Sequence, residues 1–142
     1  MTVDRQSMID FIVDHYERPR NRGALENPTL VMRGGNPGCG DIVTLYLRLD
    51  EHENIADVSF EGEGCTISMA AASLLTEKVK GLPLAEAVAL DGRVFIKELG
   101  EEIVASRLKC ATLTLNTLKA AERKFRTQQM QAWAASDEVL NF

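Results

Sequence analysis

One alternating segment decides the fold: residues 42–49 read Ile-Val-Thr-Leu-Tyr-Leu-Arg-Leu. Successive side chains of a strand point to opposite faces, so the apolar face of this segment is formed by Val43, Leu45, Leu47 and Leu49. A polar turn follows at 50–54, and the same alternation then resumes with Ala56, Val58 and Phe60 on the apolar side. Two half-buried strands joined by a short polar turn predict an antiparallel hairpin.

The flanking segments have the period of helices. An amphipathic helix is predicted over 5–16, with Met8, Phe11, Ile12 and Tyr16 recurring at helical spacing. Residues 24–40 hold prolines and glycines and predict a loop with a short edge strand at 30–32. Further helices are predicted over 66–80 (capped by Thr66 or Ser68), 84–90, 94–99 and 101–104, and a last long one from 108 to about 124 or beyond.

This order of elements predicts an α+β fold, a small antiparallel β-sheet covered by helices on one side. At 142 residues the chain is expected to form a single domain over 1–142, with 127–142 a C-terminal helical extension or tail.

Charge and hydropathy exclude several classes of function. The net charge of −5 disfavours a nucleic-acid or anionic-membrane surface, since either needs a basic face. The sequence contains no apolar run of about 18 residues and its first residues lack the apolar core of a signal peptide. We therefore expect a cytoplasmic protein, in which disulfides are rare.

Three cysteines then need another explanation. Cys39 lies in the loop before the first hairpin strand, and Cys65 follows the second strand at the start of a helix. These positions are at the same end of a hairpin, and Cys110 opens the final helix and needs only to reach that rim. Glycines at 38, 40, 62 and 64 flank two of them and leave room for a metal or another protein to approach the sulfur. The alternative is three unrelated buried thiols.

A metal or sulfur site is the chemistry that such a cluster favours. The natural fourth ligand is Asp41, and three thiolates with one carboxylate would leave a charge of about −2 around Zn²⁺ or a [2Fe–2S]²⁺ core. Arg107 and Lys109 would offset part of that charge, and helix N-termini should lower the pKa values of Cys65 and Cys110. A hard oxygen weakens one corner of the site, which suits a cofactor that must leave again.

In these motifs the chain resembles the iron–sulfur cluster assembly scaffolds of the IscU, SufU and NifU N-terminal type. The resemblance spans roughly residues 8–125. It rests on Tyr16 with Pro19-Arg20-Asn21 and Gly23, on Asn36-Pro37-Gly38-Cys39-Gly40-Asp41, on Gly62, Gly64-Cys65-Thr66-Ile67-Ser68, Ala71 and Ser73, and on Arg107-Leu108-Lys109-Cys110-Ala111-Thr112-Leu113.

The resemblance implies a scaffold rather than an enzyme. Such a protein accepts sulfur from a cysteine desulfurase, builds a transient [2Fe–2S] cluster and hands it to recipient apo-proteins. It implies Cys39, Asp41, Cys65 and Cys110 as ligands of the cluster, iron or zinc, and Cys110 as the sulfur acceptor. It also implies an iron donor as a further partner, and a homodimer around the cluster is an open alternative.

Two departures bear on the branch of the family. Lys109 stands where many IscU members have a histidine, and the Leu-Pro-Pro-Val-Lys segment that recruits a dedicated chaperone is missing. The segment around Arg107 and Cys110 instead looks like the SufU branch, yet the interval from Cys65 to Cys110 is as short as in the scaffold branch. A zinc-bound sulfur acceptor that stimulates a desulfurase is therefore the alternative, and a structural or interaction domain is the third class.

Neither histidine is expected to be a ligand. His15 ends an amphipathic helix, which favours packing or capping, and His52 falls in the hairpin turn, which favours exposure to solvent. Glu61 and Glu63 are expected to be exposed at a turn. The basic residues of the last helix are expected to form a solvated face; they are Lys119, Arg123, Lys124 and Arg126.

Overall fold

A computed structural model describes residues 4–36 and 40–140 of the chain, and from position 133 onward it describes the backbone alone. Three antiparallel strands form one sheet in the order β1-β2-β3. The strands are β1 (Leu30–Asn36), β2 (Asp41–Leu49) and β3 (Ile55–Glu63). The helices are α1 (Arg5–Glu17), α2 (Thr66–Val79), α3 (Leu84–Val88), α4 (Gly92–Leu99), α5 (Glu101–Val104) and α6 (Leu108–Leu140), with a 3₁₀ turn at Ala105–Arg107 before α6.

The predicted hairpin is confirmed, with one error in its register. Val43, Leu45 and Leu47 are at most 1% exposed, as the alternation requires. Near the turn, however, Arg48 pairs with Asp57 while Leu49 pairs with Ile55, so Ala56 is left without a partner. A bulge of this kind turns the next side chain to the other face. Ile55 is therefore buried and Ala56 exposed, where the alternation had placed Ala56 in the core.

The edge strand is longer than the sequence predicted. β1 continues through Gly34 and Gly35 to Asn36 and pairs with β2 along its whole length. A Cβ on Gly34 would overlap the hydroxyl of Thr117 on α6, so the glycine lets the helix pack directly on the strand. Glycine usually signals a break in a strand. Here it marks the close approach of another element.

Helices α2 and α6 cover one face of the sheet, which confirms the predicted α+β architecture. The middle of α2, residues 68–76, is buried throughout, and Leu115 and Leu118 of α6 are at most 1% exposed. Burying each such apolar side chain contributes about 1.5–3 kcal/mol relative to leaving it in water. The sheet and these two helices thus form the core that holds the hairpin rim in place.

Helix α1 packs on α2 through a different stripe from the predicted one. Ile12 and His15 are buried, whereas Phe11 and Tyr16 are 38% and 43% exposed. The difference arises because Ser73 of α2 offers the His15 ring a hydrogen bond at 2.8 Å, so a polar ring occupies the inner face.

The last helix extends well past Lys124. Arg126 of α6 forms an ion pair with Glu53 of the hairpin turn at 2.7 Å. The backbone of residues 127–140 is helical, and the division of the chain into one domain with a tail over 127–142 stays a prediction. Among the described residues, no helix combines the length and the apolar character needed to cross a membrane.

Candidate metal centre

The hairpin brings Asp41 and Cys65 together at its open end. Asp41 begins β2, and Ile42 pairs with Glu63 at the end of β3, so Cys65 emerges beside Asp41. The backbone N–H of Cys65 donates to Asp41 Oδ1 at 3.1 Å. Asp41 is only 3% exposed, and a buried carboxylate is stable only where such donors satisfy it.

Cys65 is also the N-cap of α2. Its backbone is extended, and its Sγ accepts from the N–H of Ser68 at 3.5 Å. The sequence predicted Thr66 or Ser68 as the cap, because hydroxyls are common there. The prediction was wrong since β3 ends only two residues before α2, and the helix must start immediately after Gly64. A sulfur at this position lies at the positive end of the helix dipole.

Helix α6 supplies the third side chain. Cys110 lies in its first turn and is 2% exposed. The side-chain amide of Asn36, at the end of β1, donates to the carbonyl oxygen of Lys109 at 3.2 Å and ties this helix start to the sheet. One ligand atom from each of Asp41, Cys65 and Cys110 lies within 4.8 Å of the others. The expected meeting of distant residues at one rim is therefore confirmed for these three.

Cys39 lies outside the described residues, so its place in the centre stays a prediction. Asn36 and Gly40, which flank this segment, lie close together, because the N–H of Gly40 donates to the carbonyl oxygen of Asn36 at 3.0 Å. Gly40 has a φ of +72°, a left-handed conformation that glycine adopts without strain.

The two cysteines of the centre differ in acidity. Burial raises the pKa of Cys65, but hydrogen bonds from Ser68, Cys110 and the Ile67 backbone together outweigh it, and the pKa of Cys65 lies below its usual value. For Cys110, burial and a hydrogen bond donated to Asp41 raise the pKa to about 12. The expectation that a helix N-terminus lowers both pKa values is wrong for Cys110, since its thiol proton has a buried carboxylate to bind.

The Asp41 carboxylate accepts most of the hydrogen bonds in the centre. Burial raises its pKa, but hydrogen bonds from Ser68, Cys110, the Cys65 backbone and Asn36 together hold the pKa of Asp41 below its usual value. Asp41 therefore stays ionised beside two sulfurs and presents oxygen lone pairs to the centre.

The approach to the centre is open and basic on one side. A hollow of about 550 Å³ is lined by residues 105–110 and reaches Cys110. Arg107 and Lys109 are exposed there, and neither forms a salt bridge within the described part of the chain. Their charge is thus available to offset an anionic centre or to attract an acidic partner.

Comparison with known proteins identifies the family. The family described as the NifU-like N terminal domain matches residues 8–132, which is most of the chain. The chain belongs to this family. Its predicted resemblance is therefore confirmed.

Similar proteins come from both branches of the NifU-like family. The zinc-dependent sulfurtransferase SufU of Bacillus subtilis is 37% identical over 131 residues, covering 80% of this chain and 87% of the relative. The iron–sulfur cluster assembly scaffold protein IscU of Streptococcus pyogenes is 38% identical over 136 residues, covering 83% and 84%. The crystal structure of SufU from Fervidobacterium islandicum superposes with a TM-score of 0.68 at 33% identity, covering 79% of this chain and 93% of that one.

The donor set of this NifU-like domain fits a thiophilic metal. Two sulfurs and a carboxylate oxygen are ligands that zinc and iron–sulfur centres use. In a tetrahedral zinc site, ligand sulfurs about 2.3 Å from the metal lie roughly 3.8 Å apart. The spacing of the three ligand atoms is close enough to reach this geometry with small side-chain movements.

The histidines lie away from the centre, as expected. His15 is buried beside Ser73, and its ring meets Phe11 edge-on with centroids 4.8 Å apart. His52 is exposed in the hairpin turn, where its backbone N–H donates to Asp50 at 2.8 Å.

Gly62 and Gly64 allow close contacts within the protein, one between neighbouring strands and one with the Asp41 carboxylate. A Cβ on Gly62 would overlap the carbonyl oxygen of Ile42, and a Cβ on Gly64 would lie 2.9 Å from Asp41 Oδ1. Gly64 therefore lets the carboxylate reach the Cys65 backbone. The expectation that these two glycines also leave room for a metal or a protein to approach the sulfur stays a prediction.

Sequence reasoning missed the contact between Ser68 and Asp41. It proposed Ser68 as a possible helix cap and included it in the family motif, whereas in the structure the Ser68 hydroxyl donates to Asp41 Oδ2 at 2.6 Å. A usable signal was its position three residues after Cys65, which places it one helical turn away on the same side.

Proposed function

We propose that the chain is a scaffold for iron–sulfur cluster biosynthesis. It accepts sulfur from a cysteine desulfurase, assembles a transient [2Fe–2S] cluster and transfers the cluster to recipient apo-proteins. The proposed ligands are Cys39, Asp41, Cys65 and Cys110. The observation that carries the proposal is the convergence of an ionised carboxylate and two sulfurs at one rim, in a family with members named as iron–sulfur cluster assembly scaffold proteins.

Cys39 is the fourth ligand of the proposed set because it lies close to Asp41 along the chain. One residue separates it from Asp41, so their Cα atoms can be no more than about 7 Å apart. This covalent limit supports including Cys39 in the proposed ligand set. Asp41 supplies the only hard oxygen of the set, and its bond to iron is the one expected to break first on transfer.

Cys110 is the proposed sulfur acceptor. In the metal-free centre the Cys110 thiol is protonated; a bound metal would favour its thiolate, with the proton released to water. The thiolate then attacks the outer sulfur of the donor's persulfide. The donor's S–S bond breaks, its cysteine leaves as a thiolate, and Cys110 carries the sulfur as a persulfide. The hollow lined by residues 105–110 supports this role, since Cys110 borders it although the residue is otherwise buried.

A zinc-bound sulfur acceptor is the second candidate. It is favoured by the 37% identity to a relative named as a zinc-dependent sulfurtransferase, and by a donor set that suits tetrahedral zinc. The two candidates differ in what the centre holds: a cluster that is passed on, or a zinc ion that remains while sulfur passes over Cys110.

Metal and acid-labile sulfide analysis of anaerobically purified protein tests the proposal. After reconstitution with ferrous iron and sulfide, a scaffold gives [2Fe–2S] absorbance that a chelator removes. A zinc-dependent acceptor retains about one zinc and accelerates desulfurase turnover instead. A protein that binds neither, and in which replacing all three cysteines changes only stability, would be a structural domain.

Two substitutions assign the roles within the centre. Asp41→Ala should slow loss of the cluster to a chelator, and Asp50→Ala, at the opposite end of the hairpin, should leave the rate unchanged. Cys110→Ser should abolish the persulfide mass shift with the fold intact. Release from Asp41→Ala at the wild-type rate or faster, or a persulfide persisting at Cys39 or Cys65, would contradict these assignments.

A further inference from the structure

The hydroxyl of Ser68 contacts both the carboxylate of Asp41 and the sulfur of Cys65. The residue lies in the first turn of α2 and is 1% exposed. Its Oγ donates to Asp41 Oδ2 at 2.6 Å and lies 3.4 Å from Cys65 Sγ. No other hydroxyl in the described part of the chain hydrogen bonds to Asp41.

The hydroxyl completes the restraint on the Asp41 carboxylate. Oδ1 accepts from the Cys65 backbone N–H at 3.1 Å, while Oδ2 accepts from Ser68. Both oxygens are thus held by residues of the segment that carries the Cys65 sulfur. Without the Ser68 hydroxyl, Oδ2 would lose its shortest donor inside a site that is 3% exposed, and the carboxylate would gain freedom to rotate.

The side chain of Ser68 is separable from its part in the helix. The cap of α2 uses the backbone N–H of Ser68, which donates to Cys65 Sγ at 3.5 Å, and this N–H remains when the side chain is shortened. Alanine is also the better helix former. The Ser68→Ala variant therefore removes one hydroxyl from the centre and leaves the helix start in place.

We propose that Ser68 is a positioning residue that holds Asp41 against Cys65, so that oxygen and sulfur meet an incoming metal as a preformed pair. The inference rests on the proposed function, because it assumes that Asp41 ligates the metal. Partners that orient metal ligands typically contribute about 10- to 100-fold in metal affinity. Since the Cys65 backbone N–H still holds the other oxygen, we expect the lower end of this range.

Zinc affinity, measured by competition with a chromophoric chelator, tests the proposal in four proteins: wild type, Ser68→Ala, Asp41→Ala and the double variant. We expect Ser68→Ala to weaken zinc binding on the order of tenfold. In the Asp41→Ala background the same change should have no effect, because a residue that acts through Asp41 has nothing left to position.

Ser73→Ala is the matched control. Ser73 lies on the same helix and is fully buried, but its hydroxyl contacts His15 and accepts from the Arg20 backbone N–H, each at 2.8 Å. This variant should lower the melting temperature of the metal-free protein without changing zinc affinity. Cobalt(II) absorption provides a second readout, in which the spectrum of Ser68→Ala should shift towards that of Asp41→Ala.

Three results would overturn the inference: unchanged zinc affinity in Ser68→Ala, an equal loss in the Asp41→Ala background, or the same loss in Ser73→Ala. Its failure is distinguishable from failure of the proposed function. If wild type binds zinc or a cluster and only the Ser68 effect is missing, the positioning role is wrong. If wild type binds neither, the proposed function itself is wrong.

Discussion

Cys65 and Cys110 are expected to react with iodoacetamide at very different rates when no metal is bound. The thiolate is the reactive species, and the two side chains differ in how readily they form it. Cys110 has a pKa of about 12, raised by burial and by its hydrogen bond to Asp41. The pKa of Cys65 lies below the ordinary value of 9.0 because hydrogen bonds from Ser68, Cys110 and the Ile67 backbone together outweigh burial.

The size of the difference follows from these values. Near pH 8, raising a pKa from 9.0 to about 12 lowers the thiolate fraction about a thousandfold. A more basic thiolate is a better nucleophile, which at a Brønsted coefficient of 0.4–0.5 returns roughly 16- to 30-fold. The lower thiolate fraction of Cys110 therefore outweighs its greater nucleophilicity, and Cys65 should react at least about 30-fold faster than Cys110. The 2% exposure of Cys110 should widen this ratio further.

Timed alkylation of metal-free protein, followed by peptide mass mapping, measures each site separately. In concentrated denaturant the two rates should converge, which is the internal control. Asp41→Asn should raise the rate at Cys110, because its thiol loses an ionised acceptor. Equal rates in the folded protein, or faster reaction at Cys110, would refute the account of the centre.

Two further predictions concern the frame around the centre. The pKa of His15 is lowered, first by burial and then by Arg20, so the unfolded chain binds a proton that the folded chain does not as pH falls through about 6.5. Stability measured by denaturant titration should fall by up to about 1.4 kcal/mol per pH unit below that point, and His15→Gln should remove the dependence while His52→Gln preserves it. An unchanged slope in His15→Gln would contradict this. Gly62→Ala should lower the free energy of unfolding by about 1–3 kcal/mol, because its Cβ overlaps the β2 backbone. Gly92→Ala, whose Cβ meets only Leu115 at 3.9 Å, should be neutral or raise it by up to about 1 kcal/mol; equal losses would show that crowding at β2 is not the cause.

Much of the centre was predictable because hairpin geometry is local. Alternation over 42–49 fixes which face is apolar, and a short polar turn fixes which residues share an end. The meeting of Asp41 and Cys65 follows from those two facts alone. The position of Cys110 needed the further assumption that the last helix starts at the same rim, which Asn36 enforces through its bond to the Lys109 carbonyl oxygen.

The predictions from sequence were wrong where the conformation of one element depends on its pairing or packing with another element. Ala56 faces solvent because a bulge shifts the register, and Phe11 faces solvent because Ser73 draws His15 to the inner side of α1. Gly34 continues a strand because α6 packs against it. Hydrophobic periodicity does not show these contacts, since the bulge is an irregularity in strand pairing and the other two contacts depend on residues far away along the chain.

The sequence by itself determined the hairpin, the approximate positions of the helices, the end of the hairpin at which Asp41 and Cys65 meet, and the family. Each of these depends on local periodicity or on residue types at fixed spacing. Only the tertiary structure decided the chemical state of the centre: the pKa of Cys65 is lowered, Cys110 is protonated, and Asp41 is ionised and held by Ser68. The reason is physical, since acidity depends on burial and on hydrogen bonds between segments, and neither exists until the chain has folded.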